Sequence, residues 1–302
     1  MVKNKPIYVE TVIHTDMDRL WKATQEPSLH QKWDLRFSEI NYLPKQDGEP
    51  QEFLYRTNIG FGLSVEGWGK SVGSFHADDD SRTSSLHFGT EQKISIIKEG
   101  KGYWKYIPNK NNSIQFLTQY NYEPSFGRIG SLIDRYVFRP LMGWATALSF
   151  DVLKRWMETG ETPSSQYIRF FSHSLLTVFF IFIWIYHGMI PKLIAMHPEE
   201  IAMVTNVIPM TTNQGEWITI IAGVIEVLFA IIWMFYRNKR RLFCIQALVF
   251  PFLMVGAIIY NFHSLFQPFN PLTFNLALFL LSLIGLVISK DIPTARNCKR
   301  ER

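Results

Sequence analysis

Cysteine is scarce in this 302-residue chain: only Cys244 and Cys298 occur, with no CxxC pair and no metal-ligand spacing. Disulfide scaffolding and dithiol redox chemistry are therefore not expected. No glycine-rich dinucleotide fingerprint, flavin motif or haem attachment motif is present, so electron transfer would need a partner protein. The formal net charge is only +5. No basic helix or aromatic-interleaved basic stripe accompanies it, and no nucleic-acid partner is expected. The opening MVKNKPIYVETVIHT lacks the apolar core of a secretory signal, which leaves the N-terminal half expected in the cytosol. Two clusters that superficially suggest metal fail on spacing. Asp78-Asp79-Asp80 lacks the alternation of a calcium loop, and His197-Pro198-Glu199-Glu200 has no second histidine one helical turn away.

Long apolar runs, by contrast, are abundant, although the mean hydropathy of +0.00 conceals them. Most of the hydrophobicity follows residue 167. Four runs suit membrane spans of about 20 residues: Tyr167 to Ile190, Trp217 to Tyr236, Leu242 to Phe262 and Pro271 to Ser289. The expected bundle has four helices. Basic residues 237 and 239–241 separate the second and third runs, and Lys290, Arg296, Lys299, Arg300 and Arg302 follow the fourth, whereas the opposite loops hold only Lys192. This asymmetry predicts both termini on the cytosolic side of a bacterial inner membrane.

Residues 1–160 read differently. IYVETVIHT alternates like a half-buried strand and runs into the helix start Thr15-Asp16-Met17-Asp18. A second short helical turn is expected at SLHQKW, before DLRFSEINYLP returns to alternation. Five strand-like runs then follow between turn-rich breaks: EFLYRTNI, LSVEGWGKSVGSFHA, SSLHFGTEQKISII, KGYWKYIPN and SIQFLTQYNYE. Ile133, Val137, Leu141, Trp144, Leu148 and Val152 recur at helical spacing, which predicts one long helix kinked at Pro140 and ended by Gly160.

The order strand, two short helices, several strands, long helix resembles the START-like helix-grip fold of the SRPBCC superfamily. TQEPSLHQKWDLRF and FRPLMGWATALSFDVLKRW are similar to the START-like domain found fused to bacterial DoxX-like membrane proteins. FIWIYHGMIPKLIAMHPEEIAMV (182–204) and FNPLTFNLALFLLSLIGL (269–286) resemble DoxX-like segments. The expected fold class is thus an α+β helix-grip soluble domain followed by an all-α four-helix transmembrane bundle. Its parts are a cytosolic domain 1–160, a hinge 161–166, a DoxX-like bundle 167–290 and a basic tail 291–302. The START-like resemblance implies a cavity for a lipid or other hydrophobic molecule. Phe53, Tyr55, Trp68, Phe88, Trp104, Tyr120 and Trp144 are candidates to line it or simply to form the core. The DoxX-like resemblance implies a connection with membrane oxidoreductase systems, including quinone chemistry.

His14, His30, His76 and His87, with Glu10, Glu66 and Glu91, form no acid-base pair recognisable from spacing. Glu226 stands out more, because a carboxylate near mid-membrane is costly unless paired or hydrated. Thr219, Gly223, Glu226 and Ala230 share a small and polar helix face of the kind that meets other helices. Depth along the helices sets His187, Lys192, Asn261, His263, Asn270 and Asn275 toward the outer side, which predicts a polar pocket around Glu226 that opens outward. Glu226 and His187 are the candidate catalytic residues, and Glu226, His187, Lys192, Asn261, His263, Asn275, Trp144 and Trp104 the candidate ligand contacts. The reading that follows is an inner-membrane protein binding a lipid or quinone-like ligand. The alternative is a subunit of a quinone-linked oxidoreductase with a redox partner.

Overall fold

The computed structural model describes residues 5–46, 48–206, 208–260, 262–266, 268 and 270–301. The chain divides into two compact units, Met1–Tyr167 with Pro293–Arg302, and Ile168–Ile292.

In the first unit, β1 (Ile7–Ile13) leads into α1 (Met17–Gln25) and α2 (Pro27–Trp33). Asp16 caps α1 by accepting from the Arg19 amide at 2.7 Å, and Pro27 opens α2, where a missing amide costs nothing. Six more strands follow: β2 (Glu39–Tyr42), β3 (Glu52–Gly60), β4 (Leu63–His76), β5 (Arg82–Gly89), β6 (Ile97–Asn109) and β7 (Ser113–Pro124). They form one sheet in the order β1-β7-β6-β5-β4-β3-β2, every neighbouring pair antiparallel. SSLHFGTEQKISII is not one strand. Thr90 captures the Gln92 amide and Gln92 closes a turn onto Ser95, so the ladder stops at Gly89 and resumes at Ile97.

One sheet face is gripped by α3 (Gly127–Ile133), a π turn (Asp134–Phe138) and α4 (Arg139–Thr159). Pro140 does not kink the middle of a helix: it lies in the first turn of α4. The wider π turn ahead of it accommodates the residue that cannot donate. Gly160 ends α4 in a left-handed conformation at φ 77°. Phe116 stacks on Phe150 with centroids 4.5 Å apart, and Tyr120 shares a 2.9 Å hydrogen bond with Thr146. Trp33, Tyr106, Phe116, Phe150 and Leu153 are fully buried beside them. Gly69 and Gly102 make the inner face concave, since a Cβ there would meet the Phe53 ring at 2.2 Å and the Tyr120 Cβ at 2.5 Å.

The last residues belong to this unit. The Asp151 carboxylate accepts from the Thr294 amide and the Asn297 side chain, both at 2.8 Å. Glu10 and Lys299 exchange two backbone bonds at 2.9 Å, and the Cys298 thiol is buried against the Ala147 carbonyl. The segment expected as a basic tail is thus a short extra edge on β1.

The second unit holds most of α5 (Pro163–His187), a π turn (Gly188–Ile194), α6 (Pro198–Thr205), α7 (Thr212–Phe235), α8 (Lys239–Tyr260) and α9 (Pro271–Ile288). Among the described residues, three stretches are long and apolar enough to cross a membrane: Pro163–Ile194, Thr212–Phe235 and Pro271–Ile288. The third expected span, α8, is helical over 22 residues, opening with Lys239, Arg240 and Arg241 and containing Pro251. Phe180, Trp233, Phe243 and Phe250 form the centre of this unit, and Gly285 admits the Phe243 ring.

Candidate functional site

The site lies in the second unit and is built by one close helix approach. Gly188, in the π turn after α5, meets Gly223 of α7 so closely that a Cβ on either would stand 2.7–2.8 Å from the other's carbonyl oxygen. Backbones can touch only where both residues lack side chains. The π turn, with Pro191 inside it, swings Lys192 across α7. Its ammonium lies 3.2 Å from Glu226 and 3.4 Å from Glu200 of α6, and donates to the His187 carbonyl at 3.4 Å. All three charged side chains are largely buried, at 13–23 % exposure. One cation between two carboxylates leaves a formal charge of −1. Such a cluster in an apolar surround is costly to keep and argues for use. Glu226 Oε2 is shielded from solvent with no hydrogen bond of proper geometry, so it retains acceptor capacity.

These groups line a cavity of about 670 Å³. Its apolar walls include Ile183, Trp184, Phe250, Leu253, Phe274 and Leu278. His187 packs its ring on Phe274 with centroids 5.3 Å apart, joining α5 to the start of α9. Asn270 caps α9 through the Thr273 amide at 2.9 Å, and Asn275 donates back to the Pro271 carbonyl. Trp184 is fixed from behind by a buried chain: its indole donates to Gln246 at 3.1 Å, and Gln246 donates to Ser282 at 2.8 Å. Gln246 and Ser282 are fully buried, and a satisfied network of this kind rigidifies the wall.

Of the residues singled out by sequence, Glu226, His187, Lys192 and Asn275 all line this cavity. Asn261 lies outside the described residues, and of His263 only the backbone is described. Trp104 and Trp144 belong to the first unit. Trp104 is buried against His30 and Trp33, whereas Trp144 is half-buried on α4. Glu200 was missed as a site residue, because the sequence offers no reason for α6 to fold back onto Lys192. The first unit also has a broad concavity of about 510 Å³ bordered by Glu39, Arg56, Glu66 and Gln92. Strand register puts these side chains on the sheet face turned away from α4, where the Arg56–Glu66 pair is solvent-screened.

Among the described residues, none of the first unit's histidines pairs with Glu10, Glu66 or Glu91, but three find other acidic partners, His87 among them with Glu99. His14 lies 3.0 Å from Glu158, and His30 lies 3.0 Å from Asp34, one helical turn along α2. Asp34 is fully buried and also holds Arg36 through bonds of 2.8 and 2.6 Å. Burial alone would raise the Asp34 pKa, but the Arg36 charge and the hydrogen bonds from Arg36 and His30 outweigh it. They hold the carboxyl well below its ordinary range. Arg36 in turn lies over the Tyr120 ring, 5.4 Å from its centroid.

An antiparallel sheet domain gripped by a helix, followed by apolar helices with a charged internal cavity, defines a membrane protein with an N-terminal sheet domain. Residues 181–283, which span the cavity, match the DoxX-like family. The chain belongs to the family of the uncharacterised membrane protein YndG of Bacillus subtilis (strain 168), with which it is 37 % identical over 303 residues, covering 100 % of this chain and 99 % of the relative. The N-terminal half is similar to solved START-superfamily structures. Human StAR-related lipid transfer protein 5 is 11 % identical, with a TM-score of 0.39, over 50 % of this chain and 74 % of that one. A START superfamily protein from Mycobacterium smegmatis is 10 % identical, with a TM-score of 0.35, over 46 % and 91 %. Hypothetical protein jhp0584 from Helicobacter pylori is 17 % identical, with a TM-score of 0.40, over 50 % and 86 %.

Proposed function

We propose that this protein is an integral membrane binding protein for an amphipathic molecule, a lipid or a quinone-like compound, held in the cavity between α5, α7 and α9. The observation that carries this reading is the Lys192 ammonium between Glu200 and Glu226 at the wall of an otherwise apolar space. A tail fits against Trp184, Phe250, Leu253 and Phe274, while a carbonyl or hydroxyl head receives a hydrogen bond from Lys192 or donates one to Glu226. The START-like domain has a narrower share. Rings fill its gripped space around Trp33 and Phe150, so a hydrophobic ligand there would be confined to the stretch where Phe53, Leu86, Phe88 and Trp144 are half-buried.

The same reading makes α8 a fourth crossing. The chain leaves the first unit at Tyr167 and returns to it at Pro293, and a segment that starts and ends on one soluble domain must cross the bilayer an even number of times. Three crossings violate that condition and four meet it. The basic residues at 237 and 239–241 support a cytosolic side for the domain, the α7–α8 turn and both termini.

Mass spectrometry of small molecules that co-purify in mild detergent tests the binding. One compound class should be enriched over bulk lipid with the native chain and lost from both Lys192→Met and Glu226→Gln. Equal recovery from native and variant protein would refute the assignment.

A further inference from the structure

The helix formed by α3 and the π turn is inside out. Gly130, Asp134 and Phe138, one turn apart, face the first unit: Asp134 is fully buried, accepting from the Tyr122 hydroxyl at 2.6 Å and from Arg139 at 3.0 Å. The apolar stripe Ile129, Leu132, Ile133, Tyr136 and Val137, at the spacing of an amphipathic helix, points outward at 46–72 % exposure. In a soluble protein that stripe would face the core. The outward side also carries Arg128 and Arg135, and the segment's one acidic residue, Asp134, is turned inward and paired with Arg139.

Strand register sets this helix at one end of the sheet, after Pro124 of β7, and two further apolar projections share that end. The β3–β4 hairpin closes through Gly60 and Gly62 at φ 93° and 76° and thrusts Phe61 fully into the open between half-exposed Ile59 and Leu63. The β5–β6 connection presents Ile94, half exposed, near Lys93 and Lys98, which offset Glu91 and Glu123. The opposite end mixes Asp16, Asp18 and the turn Asp78 to Asp80 with Arg82, which pairs with Asp18, and Lys110.

We infer that this end of the first unit is a docking surface for a lipid bilayer, with the 127–138 helix lying in the interface and Phe61 inserted beside it. An interfacial helix needs an apolar face for the acyl boundary and arginines for anionic headgroups, and this one has both. The same chain carries, among the described residues, three stretches apolar enough to cross a membrane, which makes a bilayer the partner at hand.

The test uses the full chain in nanodiscs containing anionic lipid, with exposed Cys244 replaced by Ser and an environment-sensitive fluorophore on a single introduced cysteine. Phe61→Cys and Ile133→Cys should give blue-shifted emission that doxyl-labelled lipid quenches, and Asn111→Cys, at the opposite end, should give water-like emission without quenching. Adding Arg128→Glu and Arg135→Glu should weaken quenching at position 133 on anionic lipid and leave it unchanged on neutral lipid. Water-like, unquenched emission at positions 61 and 133 overturns the inference. Blue-shifted emission that lipid does not quench overturns it too, since a protein surface would then cover the patch.

Discussion

Replacing Asp34 with Asn removes the fully buried charge of a pair and leaves the Arg36 guanidinium, itself 11 % exposed, without its counter-ion. The carboxylate accepts from the Arg36 amide at 3.1 Å, from the guanidinium twice, and lies 3.0 Å from the His30 ring. Breaking a buried pair from one side costs about 3–5 kcal/mol. At 1.4 kcal/mol per decade this is a loss of roughly two to three and a half orders of magnitude in amide protection. Hydrogen exchange of the full chain should register that loss in β6, β7 and α4. The double variant Asp34→Asn, Arg36→Met leaves no unpaired buried charge and should recover most of the protection. Acid should act through the same group. The folded pKa lies below the ordinary 3.8, so the stabilisation is complete above that value and is lost as pH falls toward the folded one. Asp34→Asn should lack this acid-dependent component. Unchanged protection in the single variant, or a double variant as weak as the single, would refute the reasoning.

Burial, and next the charge of Asp151, push the Cys298 thiol up to about 12, so maleimide should leave it unmodified at neutral pH. Asp151→Ala releases the tail, at a cost of about 1–3 kcal/mol for the abandoned partners, and should make Cys298 reactive, as peptide mass mapping would show. Gly223→Leu adds a side chain where the first carbon already meets the Gly188 carbonyl at 2.8 Å and the Lys192 Cβ at 3.0 Å. It should abolish the co-purifying ligand while hydrogen exchange in the first unit stays unchanged. Cysteines near Gln214 and Asn238 should label from opposite sides of the membrane, the former from outside. The reverse pattern would refute the four-crossing topology.

Local rules made the first unit legible. Alternation revealed the strands, Asp16 and Gly160 marked helix ends, and Asn270-Pro271 marked the start of α9. The sequence was misleading where side chains competed with the ladder, as at Thr90 to Ser95, and where a π turn replaced a proline kink before Pro140. In the site, Glu226 was legible because a carboxylate in an apolar run is conspicuous. Glu200 was not, since it reaches Lys192 only because α6 folds back over Gly215. The packing of the basic tail was not legible either, since its partners, Asp151 and Glu10, lie about 140 and 290 positions earlier. The inverted helix at 127–138 escaped because periodicity reports a stripe and never the side on which it is buried.

The proposed occupant of the cavity at Lys192 and Glu226 is one particular amphipathic molecule. A photo-crosslinking residue at Phe274, on the cavity wall, compared with one at Leu248, 64 % exposed on α8, addresses it most directly. Position 274 should yield one dominant adduct mass that disappears in Lys192→Met, and position 248 the spread of bulk lipid masses. The same bulk spread at both positions, insensitive to Lys192, would contradict the account.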